Sequence, residues 1–442
     1  MLPVPASAPR LPAAGRVNRA GRKGDLPRQA RPVPRKSWLH VTLAQYSPEV
    51  IGSRDPAAAP LRCGVCMTRH EHEVERRTLF RVGLGTAVAA VVGTELALPG
   101  AAQAAPSAEF PWIIDCDSWG ARPPSSPIQI TGNTTNKIIL HHMAFPNVTD
   151  YSRDHALQLA RDCQDLHMDT NGWADTGQHF TVSRGGYVLE GRHRSLETLD
   201  VGEHQVTAAH CPGENGNAIG IENEGTYITE TPPEALLDSL VQLCTAVCRQ
   251  FGLNAWDIFG HWDFRVTDCP GIAFYAQFPM IRTRVLHELG VPASAAPARR
   301  WPDIWRFVDS PVVQVGQYLL DAAGYTLTAD GVFGYDMNAA LADFQTTRGI
   351  PVTPDATFDA TTWEALAPPL DKDATGLPVT ALQFMLARKG YADVTASGEY
   401  DHATMKAVQS MQRLHGLHPN GKVDLSTWCA VVGGTVRESL CG

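Results

Sequence analysis

Two short segments about 120 residues apart hold side chains able to bind a metal: Lys137-Ile-Ile-Leu-His-His-Met-Ala144 and Gly260-His-Trp-Asp-Phe-Arg-Val-Thr-Asp-Cys-Pro-Gly271. The first is an apolar run that stops at two histidines. The second sets a histidine eight residues before a cysteine, which a Pro-Gly turn follows. Two imidazoles and one thiolate (one of the paired histidines, His261 and Cys269) make three protein ligands. A fourth position then stays open for water, as in a catalytic zinc site. Structural zinc sites more often take four ligands at short paired spacings, a pattern absent here. The chemistry expected is zinc-assisted hydrolysis.

The elements around these residues must hold them in place. Ile138-Ile-Leu140 is rich in β-branched residues and predicts a buried strand, which delivers a histidine on a rigid support. The Asp-Cys-Pro-Gly turn fixes the cysteine in a loop. Leu157–Met168 has helical periodicity, and Thr176–Glu190 predicts two strands joined at Arg184-Gly-Gly186. Ala218–Glu222 is another apolar strand, and Pro233–Phe251 another helix. Alternating strands and helices predict an α/β (α+β) domain with helices around a central mixed sheet. Hydrolysis at a metal needs a carboxylate to take a proton from water and pass it to the leaving group. Glu222, at a strand end, fits that role, and Glu224 two residues on is the runner-up.

These segments, with Ile219-Gly-Ile-Glu-Asn-Glu-Gly225 and Trp119-Gly-Ala-Arg-Pro-Pro124, resemble the type 2 N-acetylmuramoyl-L-alanine amidases. That group includes the peptidoglycan recognition proteins and the phage T7 lysozyme type. The resemblance covers roughly residues 112–290. It implies peptidoglycan as substrate, His141 rather than His142 as ligand with His142 on the other face, and Glu222 as the catalytic glutamate of the recycling-amidase branch. Two positions depart from the pattern. Gln178 stands where many members carry tyrosine, and Thr267 where some carry lysine. Thr267 is expected to donate a hydrogen bond to the developing oxyanion, more weakly than a cation would. Gln178, His210 and Asn215 fall where the family lines its substrate groove, although His210 and Asn215 read equally well as loop-stabilising polar residues. A non-catalytic peptidoglycan-binding protein is the alternative; Cys269 and Glu222 together argue against it. A phage lysin would share the chemistry but usually lacks an export signal.

Behind the enzyme the sequence repeats. Gly324-Tyr325 recurs as Gly390-Tyr391, Phe344-Gln345 as Met411-Gln412, Gly349 as Gly416 and Thr362-Trp363 as Thr427-Trp428, a period of 65–67 residues. Two copies at so long a period predict two small three-helix domains rather than a solenoid. They resemble the peptidoglycan-binding type 1 module. The second copy is degraded, with Ser397 and Asp401 where the first has Asp330 and Gly334. Tethered by a linker, such modules raise an enzyme's effective concentration at an insoluble polymer.

The expected organisation is 1–66 disordered, 67–104 a signal, 105–292 the amidase domain, 293–302 an Ala/Pro-rich linker, and 303–369 and 370–442 the two repeats. Residues 1–66 hold eleven Lys+Arg against three Asp+Glu, and a start placed too far upstream would account for them. Arg76-Arg77, the apolar run Val82–Leu98 and Ala102-Gln-Ala104 resemble a twin-arginine export signal with a cleavage site. The apolar run is short and glycine-interrupted, so no stable membrane anchor is expected after cleavage. Beyond residue 104 the charge is about −17, which excludes the basic footprint that nucleic-acid binding needs. A secreted or wall-associated monomer is expected. In such a compartment Cys429 and Cys441 could pair, while pairing among Cys116, Cys163, Cys211, Cys244 and Cys248 stays open.

Overall fold

The computed structural model describes residues 109–306, 308–352 and 356–441. The expectations for residues 1–66 and for the export signal lie outside the described residues. Six strands form one sheet: β1 (Ile113–Ile114), β2 (Lys137–His142), β3 (Phe180–Val182), β4 (Val188–Glu190), β5 (Ala218–Asn223) and β6 (Ile258–Gly260). Their order is β1-β4-β3-β5-β2-β6, and only β3 and β4 run antiparallel, joined by the Arg184-Gly-Gly turn. The sheet is therefore mixed. β2 is an interior strand between β5 and β6, with all six residues buried, as an apolar run requires of a strand covered on both faces.

Around the sheet lie α1 (Cys116–Trp119), α2 (Arg153–Asp165), α3 (Ser195–Val201), α4 (Glu234–Phe251), α5 (Ile272–Tyr275) and α6 (Phe278–Leu289). α2 starts four residues before the periodic pattern because the Ser152 hydroxyl accepts from the His155 N–H and caps it. α4 and α6 cover one face. There Ile138, Leu140, Ile219 and Ile221 pack with Leu236, Leu240 and Ile281.

The other face is shared: α1 and α2 cover Leu189 of β4, and the repeats cover the β2–β6 end. Each repeat is three helices: α7 (Pro311–Ala322), α8 (Tyr335–Arg348) and α9 (Ala360–Leu366), then α10 (Leu377–Arg388), α11 (His402–Leu414) and α12 (Leu425–Val431). Ile139 and Phe259 of the sheet, with Phe264, share one apolar core with Trp301, Val308, Val312 and Val315. The two copies share one hydrogen-bond template. Gln317 accepts from the Gly331 N–H and donates to Val332 O; Gln383 accepts from Gly398 and donates to Glu399 O. The residues that mark the second copy as degraded keep this frame. Ser397 accepts from Gln383 where Asp330 does so in the first copy, and Asp401 caps α11.

The expected linker is built into the structure. It contains β7 (Arg299–Arg300), which pairs antiparallel with β8 (Thr435–Val436) from the end of the chain. The eight cysteines among the described residues are free, so the Cys429–Cys441 pair does not form. Cys429 is buried in α12 against the carbonyls of Arg300 and Thr435, while Cys441 is exposed beyond a 3-10 turn. Among the described residues no helix is long and apolar enough to cross a membrane.

Candidate metal centre

Strand register brings the candidate ligands together. His141 on β2 stands level with Glu222 on β5, and Leu140 stands level with Gly260 on β6, so His261 follows at the height of His141. Side chains alternate along a strand, so His141 and Glu222 share the face of Ile139 and Gly220. This is the face whose β2–β6 end the repeats cover. The site thus lies at the carboxyl ends of parallel strands, where α/β sheets commonly bind ligands. His142 points the other way, and its Nδ1 accepts from the Tyr227 N–H.

Donor atoms of His141, His261 and Cys269 lie within 4.8 Å of one another. Cys269 Sγ is 3.7 Å from His141 Nδ1. Metal bonds of ~2.3 Å to sulfur and ~2.0 Å to nitrogen at a tetrahedral angle would set these atoms about 3.5 Å apart. Two buried atoms here have no protein partner, His261 Nδ1 and Glu222 Oε2. Orphaned lone pairs are costly in a protein interior and fit a cation. Burial holds all three ligands in their uncharged forms: it drives the imidazole of His141 far below its usual range, lowers His261 to about 3 and raises the Cys269 thiol. Neutral imidazoles are ready ligands, and a thiol here would lose its proton to a bound cation. The Thr267 hydroxyl accepts from the Cys269 N–H at 3.1 Å, and Trp262 N–H donates to Cys269 O at 3.0 Å, so the sulfur's loop is closed by its own backbone.

A hydrogen-bond relay sets the nitrogen that His141 presents. His210 Nε2 lies 3.2 Å from Ala218 O, which can only accept, so that nitrogen carries the proton. His210 Nδ1 is then an acceptor, 3.0 Å from His141 Nε2. His141 donates through Nε2 and keeps the Nδ1 lone pair for a metal. The His210 ring lies directly on Gly220, where any Cβ would overlap it.

Glu222 Oε1 is 3.7 Å from His141 Nδ1, and burial raises its carboxyl to about 8. Glu224 has a different setting. It is buried, accepts from the Arg184 N–H at 2.7 Å and lies 2.6 Å from His155 Nε2. Its carboxylate is occupied within the fold. Both ring nitrogens of His210 are engaged within the fold. Asn215 Oδ1 accepts from the N–H groups of His210 and Cys211 and so closes the loop that carries the relay histidine. Gln178 is buried and donates to Thr181 Oγ1 at 2.8 Å, under the β3 residue that registers with Glu222. The relay role of His210 escaped sequence reasoning. Its only sequence signal is a histidine a few residues before an apolar strand.

Comparison with known proteins finds two kinds of family match. The N-acetylmuramoyl-L-alanine amidase family model matches residues 131–272, and a peptidoglycan-binding domain model matches 309–366 and 375–431. Peptidoglycan-recognition protein LB of Drosophila melanogaster is 31% identical over 189 residues, 42% of this chain and 76% of the relative. A human N-acetylmuramoyl-L-alanine amidase is 33% identical over 169 residues, 37% of this chain; the match spans only 27% of that longer protein. The solved structure of Drosophila PGRP-LB is 30% identical, covering 37% of this chain and 91% of its own, with a TM-score of 0.33. The chain belongs to the family of N-acetylmuramoyl-L-alanine amidases and peptidoglycan-recognition proteins, and it carries two peptidoglycan-binding repeats. Its ligand is peptidoglycan, which such proteins hydrolyse at an amide bond or recognise.

Proposed function

We propose that this chain is an exported zinc amidase that cleaves the amide between N-acetylmuramic acid and L-alanine of peptidoglycan. One juxtaposition carries the reading: three metal donors within 4.8 Å of one another, beside a largely buried carboxylate 3.7 Å from one of them. His141, His261 and Cys269 would hold the metal. When bound, zinc polarises the scissile carbonyl and acidifies water. Glu222 takes a proton from the attacking water and delivers it to the amine of L-alanine as the C–N bond breaks. Glu222 suits this task because a base with a raised pKa is also a competent acid afterwards. Thr267, whose hydroxyl oxygen accepts from Cys269, keeps its own proton free for the carbonyl oxygen as negative charge develops there. Gln178, through Thr181, supports the strand that carries Glu222. Export by the paired-arginine signal places the enzyme at the wall.

The test is digestion of purified wall by the exported chain, with and without chelator, followed by mass spectrometry. Free stem peptides beginning in L-alanine are expected, and they should vanish when metal is removed. Glu222→Gln should keep its metal and lose about 10²–10⁴-fold in turnover. Wall binding without any released peptide would leave the non-catalytic reading standing.

A further inference from the structure

The loop that carries the sulfur donor is gripped from outside by both repeats. At the start of the first, Asp309 bridges backbone to backbone with Arg265 and pairs with its guanidinium at 3.6 Å. The second holds it with two consecutive residues. Arg388, at the end of α10, donates to Thr267 O at 2.8 Å and lies 3.9 Å from the Asp268 carboxylate. Lys389 is buried and donates to the Tyr275 hydroxyl at 3.1 Å. That hydroxyl donates to Asp263 Oδ1 at 3.1 Å, and Asp263 Oδ2 accepts from the Gly260 N–H at 2.8 Å, the residue before His261. Trp262 completes the contact, its ring 5.5 Å from the Lys389 ammonium. Adjacent residues of one repeat thus reach two of the three donors by separate arms.

We infer that the second repeat is a positioning element of the metal centre, with Arg388 setting the Cys269 arm and Lys389 the His261 arm. The inference rests on the ligand set proposed above. A module that served only to hold the wall would gain nothing from burying an ammonium linked to a buried carboxylate through a tyrosine hydroxyl. Such a pair is expensive to desolvate and is retained where it fixes one arrangement. Arg388 adds a directional constraint, because its planar fork holds the carbonyl of the residue whose hydroxyl caps Cys269. Outer partners of this kind commonly set metal affinity by 10–100-fold.

The experiment compares the full-length wild type with Arg388→Ala, Arg388→Lys and Lys389→Met. Zinc affinity is read by chelator competition, and thiolate geometry by the visible spectrum of the cobalt-loaded protein. Turnover is measured on soluble muropeptides. Arg388→Ala is expected to bind zinc about 10-fold more weakly and to shift the sulfur-to-cobalt band. It should lose about 10-fold in kcat with KM within about twofold, while Arg388→Lys recovers part of each loss. Lys389→Met empties a buried charge site and can fail to fold; Arg388 is partly exposed, so its variants carry the test. Wild-type affinity, spectrum and kcat in Arg388→Ala would overturn the inference. A wild type that binds metal yet releases no stem peptide overturns only the proposed reaction, because affinity and spectrum still decide this point. A wild type that binds no metal overturns both.

Discussion

Replacing His210 by phenylalanine should loosen the metal without touching a ligand. The phenylalanine ring would keep the packing over Gly220 but remove the acceptor 3.0 Å from His141 Nε2. His141 is almost wholly buried, so its Nε2–H would be left without a partner, at a cost of about 1–3 kcal/mol. The imidazole can escape that cost by moving its proton to Nδ1, the atom that faces Cys269 and Glu222. It then ceases to be a ligand. Zinc must reverse the shift to bind, so affinity should fall by about 10–100-fold, or ~1.4–2.7 kcal/mol. His210→Asn places a carbonyl oxygen near the position of Nδ1 and should restore most of the affinity. Competition against a chromophoric chelator at neutral pH, using metal-free full-length protein, measures both. Undiminished zinc binding in the phenylalanine variant would refute the relay. Equally poor binding by the asparagine variant would show that ring packing matters and the acceptor does not.

Further outcomes follow from the same geometry. The acid limb of kcat/KM should lie above the ordinary glutamate range, because burial raises Glu222 to about 8 and a nearby cation lowers it from there. Activity therefore rises with pH between about 4.5 and 8 as the base ionises; a limb at or below 4.5, or one unchanged in Glu222→Asp, would count against this base. Gly433→Ala should destabilise the chain by about 2–4 kcal/mol in urea unfolding, since a Cβ there overlaps the Asp263 carboxylate at a left-handed φ of 93°. A loss within about 0.5 kcal/mol would show that this contact yields. His415 is buried with neither ring nitrogen paired, and burial lowers it to about 3. Its contribution is present above the unfolded value near 6.5 and is lost as pH falls toward 3. Between pH 7 and 5 the wild type should lose about 2 kcal/mol more than His415→Leu, and parallel pH–stability curves would remove this group from the account.

Much of the amidase-family half was readable in the chain because its signals are local. An apolar run ending in His141, the strand ending at Glu222 and the hairpin around Arg184-Gly-Gly186 each follow from neighbours in sequence. The π-turn Leu166–Thr170 extends α2 where the periodic pattern leads one to expect its last residues. Choosing between Glu222 and Glu224 was harder. Two residues apart, they differ only in that Glu224 falls beyond β5, onto Arg184 and His155. His210 was legible as a polar loop residue but not as a relay, because its partners come from β2 and from Ala218. Arg388 and Lys389 look in sequence like the basic end of a repeat helix. Only the packing of the repeat on the sheet turns them toward Thr267 and Tyr275.

The β7–β8 ribbon changes what kind of attachment the repeats provide. A flexible tether lets an anchored enzyme search a sphere, and the benefit fades smoothly as the tether lengthens. Here residues 299–300 are stitched to residues 435–436, and the sheet and repeats share one core, so no such sphere exists. On the proposed function, the place where a repeat would hold the polymer and the place where it would be cut are separated by a fixed vector. Affinity for the wall helps only at bonds lying at that offset. Limited digestion should then leave spacings that echo the glycan repeat, and the attachment works as a gauge instead of a leash.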